Sequence, residues 1–118
     1  MQRKLLLTTA LLCGCLWIQH GSAQVLNAPV PAPNQSSGGS TAWSAACASE
    51  TFNDYWVNFT WGPPLVNSDN EFILELSDAA GDFTNAVELA RDGSNNTTFD
   101  FYFQFSLPQD TRGEGYRM

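Results

Sequence analysis

The segment Thr97–Leu107, TTFDFYFQFSL, places a phenylalanine or leucine at every second position from Phe99 onward. The residues between them are polar or carry a hydroxyl group. Successive side chains of a β-strand point to opposite faces, so the segment is predicted to be a strand with one apolar and one solvated face. Such a strand must bury its apolar face against a second layer, which the rest of the chain has to supply.

Three further segments have the same two-residue periodicity, and turn residues bound each of them. We predict strands over Thr51–Trp61, Glu71–Ser77 and Ala86–Ala90, and the start of a fifth strand at Gly115–Met118. No segment after the N-terminal stretch has the periodicity of an amphipathic helix. Short strands at this spacing predict an all-β fold, an immunoglobulin-like antiparallel β-sandwich over residues 43–118.

The predicted last strand stops at Met118. A sandwich without its closing strand exposes the edge of the strand that should pair with it. We therefore expect the sandwich to be truncated in its last strand and the sequence to be an N-terminal fragment of a longer protein. Other domains of that polypeptide are its first expected partners.

The N-terminus has the pattern of a secretory signal peptide over residues 1–23. Arg3 and Lys4 precede the apolar stretch Leu5–Trp17, and small residues precede a cleavage site between Ala23 and Gln24. A competing interpretation uses Leu12–Cys15, which resembles the lipoprotein box and would make Cys15 the lipidated first residue. We favour cleavage after Ala23 and expect export by the Sec machinery to the cell surface or the medium.

Removal of the signal peptide leaves Cys47 as the single cysteine, so no intrachain disulfide is expected. We interpret Cys47 as a small buried apolar residue. The mature chain starts with a leader over residues 24–42, in which alternating prolines are followed by serines and glycines. This composition predicts an extended, poorly packed segment.

The mature chain is strongly acidic. All 12 acidic residues follow Ala23, whereas only three arginines do, which gives a net charge of −9. This charge repels nucleic acids and anionic lipids, so neither is an expected partner.

Trp56, Asn58 and Thr60 are the candidate ligand contacts. They share the polar parity of their strand, so an exposed indole would lie among polar groups, an arrangement that fits a carbohydrate or protein contact. Packing of Trp56 under a neighbouring loop or domain is the alternative, and it is the one we favour for this residue. Asp78 and Asp82 flank Gly81 in a turn that is a candidate calcium site, although Asx-turn hydrogen bonding also explains both aspartates.

The sequence argues against an enzyme. The only histidine, His20, lies in the predicted signal peptide, and no nucleophile motif is present. Glu71 and Glu75 share a strand face, but a solvated face accounts for them more simply than the paired carboxylates of a glycosidase. We expect no catalytic residues and no cofactor, with calcium as the single candidate ion.

Three stretches of the chain resemble a known family. They are APVPAPN, NEFILELSDAAGDFTNAVELA and FSLPQDTRGEGYRM. Together they are similar to the N-terminal region of large secreted Bacteroidetes proteins that carry a gliding-motility-associated, type B sorting domain and use the type IX secretion system. The resemblance covers Ala28–Met118 and implies an immunoglobulin-like sandwich. The sorting domain is not in this sequence, so type IX export is implied by analogy.

We therefore predict a non-enzymatic extracellular or cell-surface module that serves adhesion, spacing or display in an exported multidomain protein. Its expected partners are the other domains of the polypeptide, the Sec and type IX machinery, and a surface polysaccharide or protein. The alternative is a carbohydrate-binding module of a secreted enzyme that acts on polysaccharides.

Overall fold

The computed structural model describes residues 23–118, and within that range it contains strands and no helix. The predicted all-β class is confirmed. The strands are β1 (Val25–Leu26), β2 (Val30–Ala32), β3 (Tyr55–Gly62), β4 (Phe72–Leu76), β5 (Val87–Asp92) and β6 (Asp100–Phe105). The two longest predicted strands correspond to β3 and β6, although each is shorter than the periodic segment that predicted it.

β3 is the central strand of the larger sheet. β6 runs antiparallel along one of its edges, in a register that pairs Tyr55 with Phe105 and Thr60 with Asp100. β1 and β2 follow one another along the other edge, also antiparallel. β3 is therefore hydrogen-bonded on both sides, which makes it the element on which this sheet is assembled.

The smaller sheet consists of β4 and β5, paired antiparallel with a bulge between Leu74 and Glu75. β5 lies beside β6, so the two sheets approach each other on that side. The two sheets pack face to face, and the antiparallel β-sandwich predicted from the sequence is confirmed. Its more detailed assignment as immunoglobulin-like stays a prediction.

Aromatic rings fill the space between the sheets. The ring of Phe72 on β4 lies 5.5 Å from that of Phe59, 5.4 Å from Trp61 and 5.2 Å from Phe101. Each buried large apolar side chain contributes about 1.5–3 kcal/mol to stability. The buried core cluster consists of Tyr55, Val57, Phe59, Trp61, Phe72, Leu74, Leu76, Phe101, Phe103, Phe105 and Leu107.

Two apolar residues, one at the start of the predicted Phe-rich strand and one in the predicted strand Ala86–Ala90, lie partly outside the core. Phe99 is 40% exposed because β6 begins only at Asp100, and its ring packs on the edge of the larger sheet, 4.7 Å from Trp61. Val87, the first residue of β5, is 47% exposed although it pairs with the buried Leu76.

The leader differs from the expected poorly packed segment. Its first part supplies β1 and β2, and Ala32 is buried against β3 opposite Trp56. Alternating prolines hold the chain extended, and an edge strand tolerates a proline because one side of it has no ladder to complete. The same composition therefore suits a short edge strand.

The segment before β3 is anchored by Tyr55. Its hydroxyl accepts a hydrogen bond from the Cys47 amide at 2.8 Å and donates one to the Cys47 carbonyl at 2.9 Å. Burial raises the pKa of Tyr55. The hydrogen bond with the Cys47 backbone lowers it, and the contact with the Cys47 side chain raises it. Cys47 itself is exposed, so the expectation of a buried cysteine is wrong. Its backbone, and not its thiol, makes the hydrogen bonds that hold this segment.

The predicted strand at Gly115–Met118 does not form a regular strand, but it lies beside the end of β4. The Ser77 amide donates to the Arg117 carbonyl at 2.9 Å, and the Arg117 amide donates to the Ser77 hydroxyl at 2.8 Å. Tyr116 and Met118 pack on the core, whereas Arg117 is exposed. The alternation resembles that of a strand, but the predicted strand itself does not form within the described residues.

Candidate functional site

The candidate site is the solvent-facing side of the larger sheet, which we call the outer face. It contains the residues of β3 that alternate with the core positions, including the three predicted ligand contacts. The register places them in rungs across the sheet: Ala32–Trp56–Gln104, Val30–Asn58–Tyr102 and Thr60–Asp100. The structure therefore brings Trp56, Asn58 and Thr60 together on one face.

Trp56 is half-buried and does not present a free ring. It lines a cleft of about 130 Å³ together with Ala32, Asn34, Thr41 and other residues of the leader and of the segment before β3. Its indole Nε1 is buried and has no hydrogen-bond partner within residues 23–118. Packing of Trp56 under a neighbouring segment, the alternative that the sequence left open, thus describes most of its environment.

The polar candidates form hydrogen bonds within the sheet. The Asn58 amide nitrogen donates to a carboxylate oxygen of Asp100 at 2.5 Å and to the Phe101 carbonyl at 3.3 Å. The Thr60 hydroxyl accepts a hydrogen bond from the Asn27 side chain at 2.9 Å. A ligand that bound these groups would have to compete with the contacts they already make.

Two exposed apolar side chains lie beside Asn58, one on each neighbouring strand. Val30 is 52% exposed and Tyr102 is 45% exposed. The alternation of β6 placed Tyr102 outside, but the sequence interpretation missed Val30 because it assigned no strand to the leader. The β-branched Val30 directly before Pro31 was the available signal for an edge strand.

A second polar row lies at the end of the outer face where β3 begins. Gln104 donates to a carboxylate oxygen of Asp54 at 2.8 Å, and Asn34 donates to the other oxygen at 3.3 Å. Asp54 thereby connects β6 to the leader across β3. The outer face therefore carries mutually bonded polar groups, with Tyr102 and Val30 exposed between them.

Asp78 and Asp82 use their carboxylates to form a turn. One oxygen of Asp78 accepts the amides of Ala80 and Asp82, each at 2.9 Å. One oxygen of Asp82 accepts the Thr84 hydroxyl at 2.6 Å and its amide at 2.7 Å, and these bonds hold the pKa of Asp82 below its usual value. Gly81 adopts a φ of 83°, a conformation that glycine accepts without a steric cost.

Within the described range, no group of three or more histidine, cysteine, aspartate or glutamate side chains is arranged to hold a metal ion. Nor does that range contain a helix that is long and apolar enough to cross a membrane. The predicted signal peptide and the alternative lipidation site Cys15 lie outside the described residues, apart from Ala23. Gln24 follows the predicted cleavage position, and its side chain donates to the Pro64 carbonyl at 2.8 Å.

Comparisons of this chain with protein-family models, with curated proteins and with solved structures find no match. The resemblance to secreted Bacteroidetes proteins therefore stays a prediction.

The turn geometry generates a test of the calcium candidate. Replacement Asp78→Ala removes the acceptor of two amide hydrogen bonds, so we expect the melting temperature to fall by about 4 °C. Because the two lost hydrogen bonds stabilise the turn and not a bound ion, thermal unfolding should show the same fall in calcium and in EDTA. A rise in the melting temperature of the unaltered chain with calcium, absent from Asp78→Ala, would instead identify a calcium site.

Proposed function

We propose that this chain is a non-enzymatic module of an exported, extracellular or cell-surface protein, and that it serves adhesion, spacing or display through its outer face. One observation carries this proposal. The polar groups of the outer face bond to one another, while Val30 and Tyr102 remain exposed between them. The cleft beside Trp56 holds about 130 Å³, which is less than the roughly 300–1,000 Å³ of pockets that bind small molecules. Exposed apolar side chains among polar groups that are already bonded fit contact with a broad macromolecular surface.

Ion pairing of Glu71 supports a non-enzymatic role. Arg91 forms ion pairs with both Glu71 and Glu88, the second at 2.6 Å. Hydrogen bonds from Arg91 lower the pKa of Glu88, and the bonds to Glu88 and then Glu71 raise the pKa of Arg91. Glu71, one of the two glutamates weighed as a glycosidase pair, is therefore held in an ion pair with Arg91.

The charge of the mature chain narrows the class of partner. A net charge of −9 disfavours nucleic acids and anionic membranes, and it favours a neutral or basic macromolecular surface. The signal-peptide pattern and the resemblance to proteins of the type IX secretion system support an extracellular setting. In that setting, the other domains of a longer polypeptide are natural neighbours of the outer face.

Export can be tested directly. Expressed with residues 1–23 in a bacterial host, the chain should be recovered outside the cytoplasm with Gln24 at its N-terminus, as read by intact mass. The matched variant Ala23→Arg should block cleavage, because the signal peptidase requires a small residue at that position. A cytoplasmic product that begins at Met1 would contradict the proposal, and a lipidated product that begins at Cys15 would support the lipoprotein alternative.

The carbohydrate-binding alternative is favoured by one observation, the exposed ring of Tyr102 beside the amide of Asn58 and the carboxylate of Asp100. A titration with soluble polysaccharides, followed by intrinsic fluorescence, distinguishes the two functions. We expect no saturable change for a protein-contacting module. A saturable change that is lost in Tyr102→Ala and Trp56→Ala, but kept in the control Phe83→Ala on another surface, would establish the alternative.

A further inference from the structure

Tyr102 and Asp100 form an exposed pair on the outer face. They lie two residues apart on β6, and such side chains share one face of a strand at a spacing of about 7 Å. Tyr102 is 45% exposed, and Asp100 is exposed as well. An aromatic ring and a carboxylate are thus presented to solvent side by side.

A hydrogen bond holds the carboxylate near the ring. In the register of β3 with β6, Asn58 lies directly opposite Tyr102, whereas Thr60 lies opposite Asp100. The Asn58 amide nevertheless donates to one oxygen of Asp100 at 2.5 Å and to the Phe101 carbonyl at 3.3 Å. One oxygen of Asp100 is therefore bonded to the residue that faces Tyr102, so the pair is ordered without a partner.

The charge of Asp100 is not neutralised within residues 23–118. Every salt bridge of that range is formed by Arg91, which lies on the smaller sheet. Asp54, the other carboxylate of the outer face, accepts hydrogen bonds from the neutral amides of Gln104 and Asn34. The described outer face thus has two negative charges and no lysine or arginine among its rungs. A partner that supplies a cation is complementary to it.

A guanidinium group matches both members of the pair. Its plane stacks on an aromatic ring, and its N–H groups donate to a carboxylate in a geometry that an ammonium group does not reproduce. Within the described residues, only one oxygen of Asp100 accepts a hydrogen bond, so the other can accept one from a partner. Val30, on the far side of Asn58, is 52% exposed and offers apolar surface to the methylene groups of a long side chain.

We propose that Tyr102 and Asp100 form an arginine-acceptor site, and that the outer face binds a basic protein segment that presents an arginine there. The guanidinium group would stack on the ring of Tyr102 and donate to the carboxylate of Asp100. This inference rests on the proposed function, because it names the chemistry of the partner that the outer face contacts. A second copy of this chain is the less suitable partner, since two molecules that each carry a charge of −9 repel one another.

The test uses the full chain and two labelled eight-residue peptides, one alternating arginine with serine and the other alternating lysine with serine. The two peptides have the same charge, so attraction to an acidic protein does not distinguish them. Fluorescence anisotropy should show that the arginine peptide binds about fivefold more tightly. The affinity of both peptides should fall as salt is added, because the contact is exposed.

Paired variants locate the site. Tyr102→Leu keeps an apolar side chain but removes the ring, so the preference for the arginine peptide should be lost, whereas Tyr102→Phe should keep it. Asp100→Asn should weaken binding of the arginine peptide about fivefold. Its control Asp110→Asn removes the same charge from an exposed loop beyond the far end of β6, and it should change the affinity by less than about twofold.

Backbone NMR of the unaltered chain keeps the proposal testable if a variant fails to fold. The arginine peptide should shift the amide signals of Asn58 and of β6 more than that of Asp110. Equal affinity of the two peptides, a preference that survives in a folded Tyr102→Leu variant, equal losses for the two aspartate variants, or shifts confined to another surface would each overturn the proposal.

Two other occupants of the outer face are outcomes of the same test. A dimer of the chain alone that Tyr102→Leu dissociates would assign the face to a second copy, and a polysaccharide that displaces the arginine peptide would assign it to a carbohydrate. Either result would overturn the arginine-acceptor site. The export experiment does not use Tyr102 or Asp100, so failure of the proposed function and failure of this inference are distinguishable.

Discussion

The pairing of β3 with β6 is the constraint on which the rest of the structure depends. It joins two strands whose inner residues are almost all aromatic, so that Phe59 lies 5.3 Å from Phe101 and Tyr55 lies 5.7 Å from Phe105. The resulting surface is too apolar to remain in water and requires a second layer. β4 supplies that layer through its three inward residues, and the leader completes the larger sheet on the free edge of β3.

No disulfide links the described residues, where Cys47 is a free cysteine. The connecting segments are held instead by side-chain hydrogen bonds to the backbone. The Asn53 side chain both donates to and accepts from the backbone of Leu107, which extends the pairing of β3 and β6 beyond the end of the strands. The Trp61 indole donates to the Thr98 carbonyl at 2.7 Å. Asn96 is buried and donates to the carbonyls of Ser68, Asn70 and Gly93, so it joins the two turns at one end of the smaller sheet.

Strand periodicity predicted the sheets because it reports which side chains must leave water. The alternation around Phe101 and Phe103 was sufficient to place the inner face, and the glycine and asparagine clusters marked the turns. The leader was harder to predict. β2 is a strand only because it meets the edge of β3, and that long-range contact leaves almost no local pattern in the sequence.

The candidate site was also predicted only as far as local periodicity allows. Parity correctly placed Trp56, Asn58 and Thr60 on one face. It could not show that the leader covers Trp56, or that Asn58 and Thr60 are bonded to Asp100 and Asn27. These facts depend on neighbours that are distant in the sequence.

The central claim is that the inner face of β6 joins the two sheets, and that Phe101 is the first residue of β6 to face the core. The most direct measurement is the free energy of unfolding of two variants in urea, Phe103→Ala and Phe99→Ala. Phe103 is 5% exposed and Phe99 is 40% exposed, although both belong to the same sequence repeat. The account predicts a loss of about 3–5 kcal/mol for Phe103→Ala and of about 1–2 kcal/mol for Phe99→Ala. Equal losses, or a larger loss at Phe99, would contradict it.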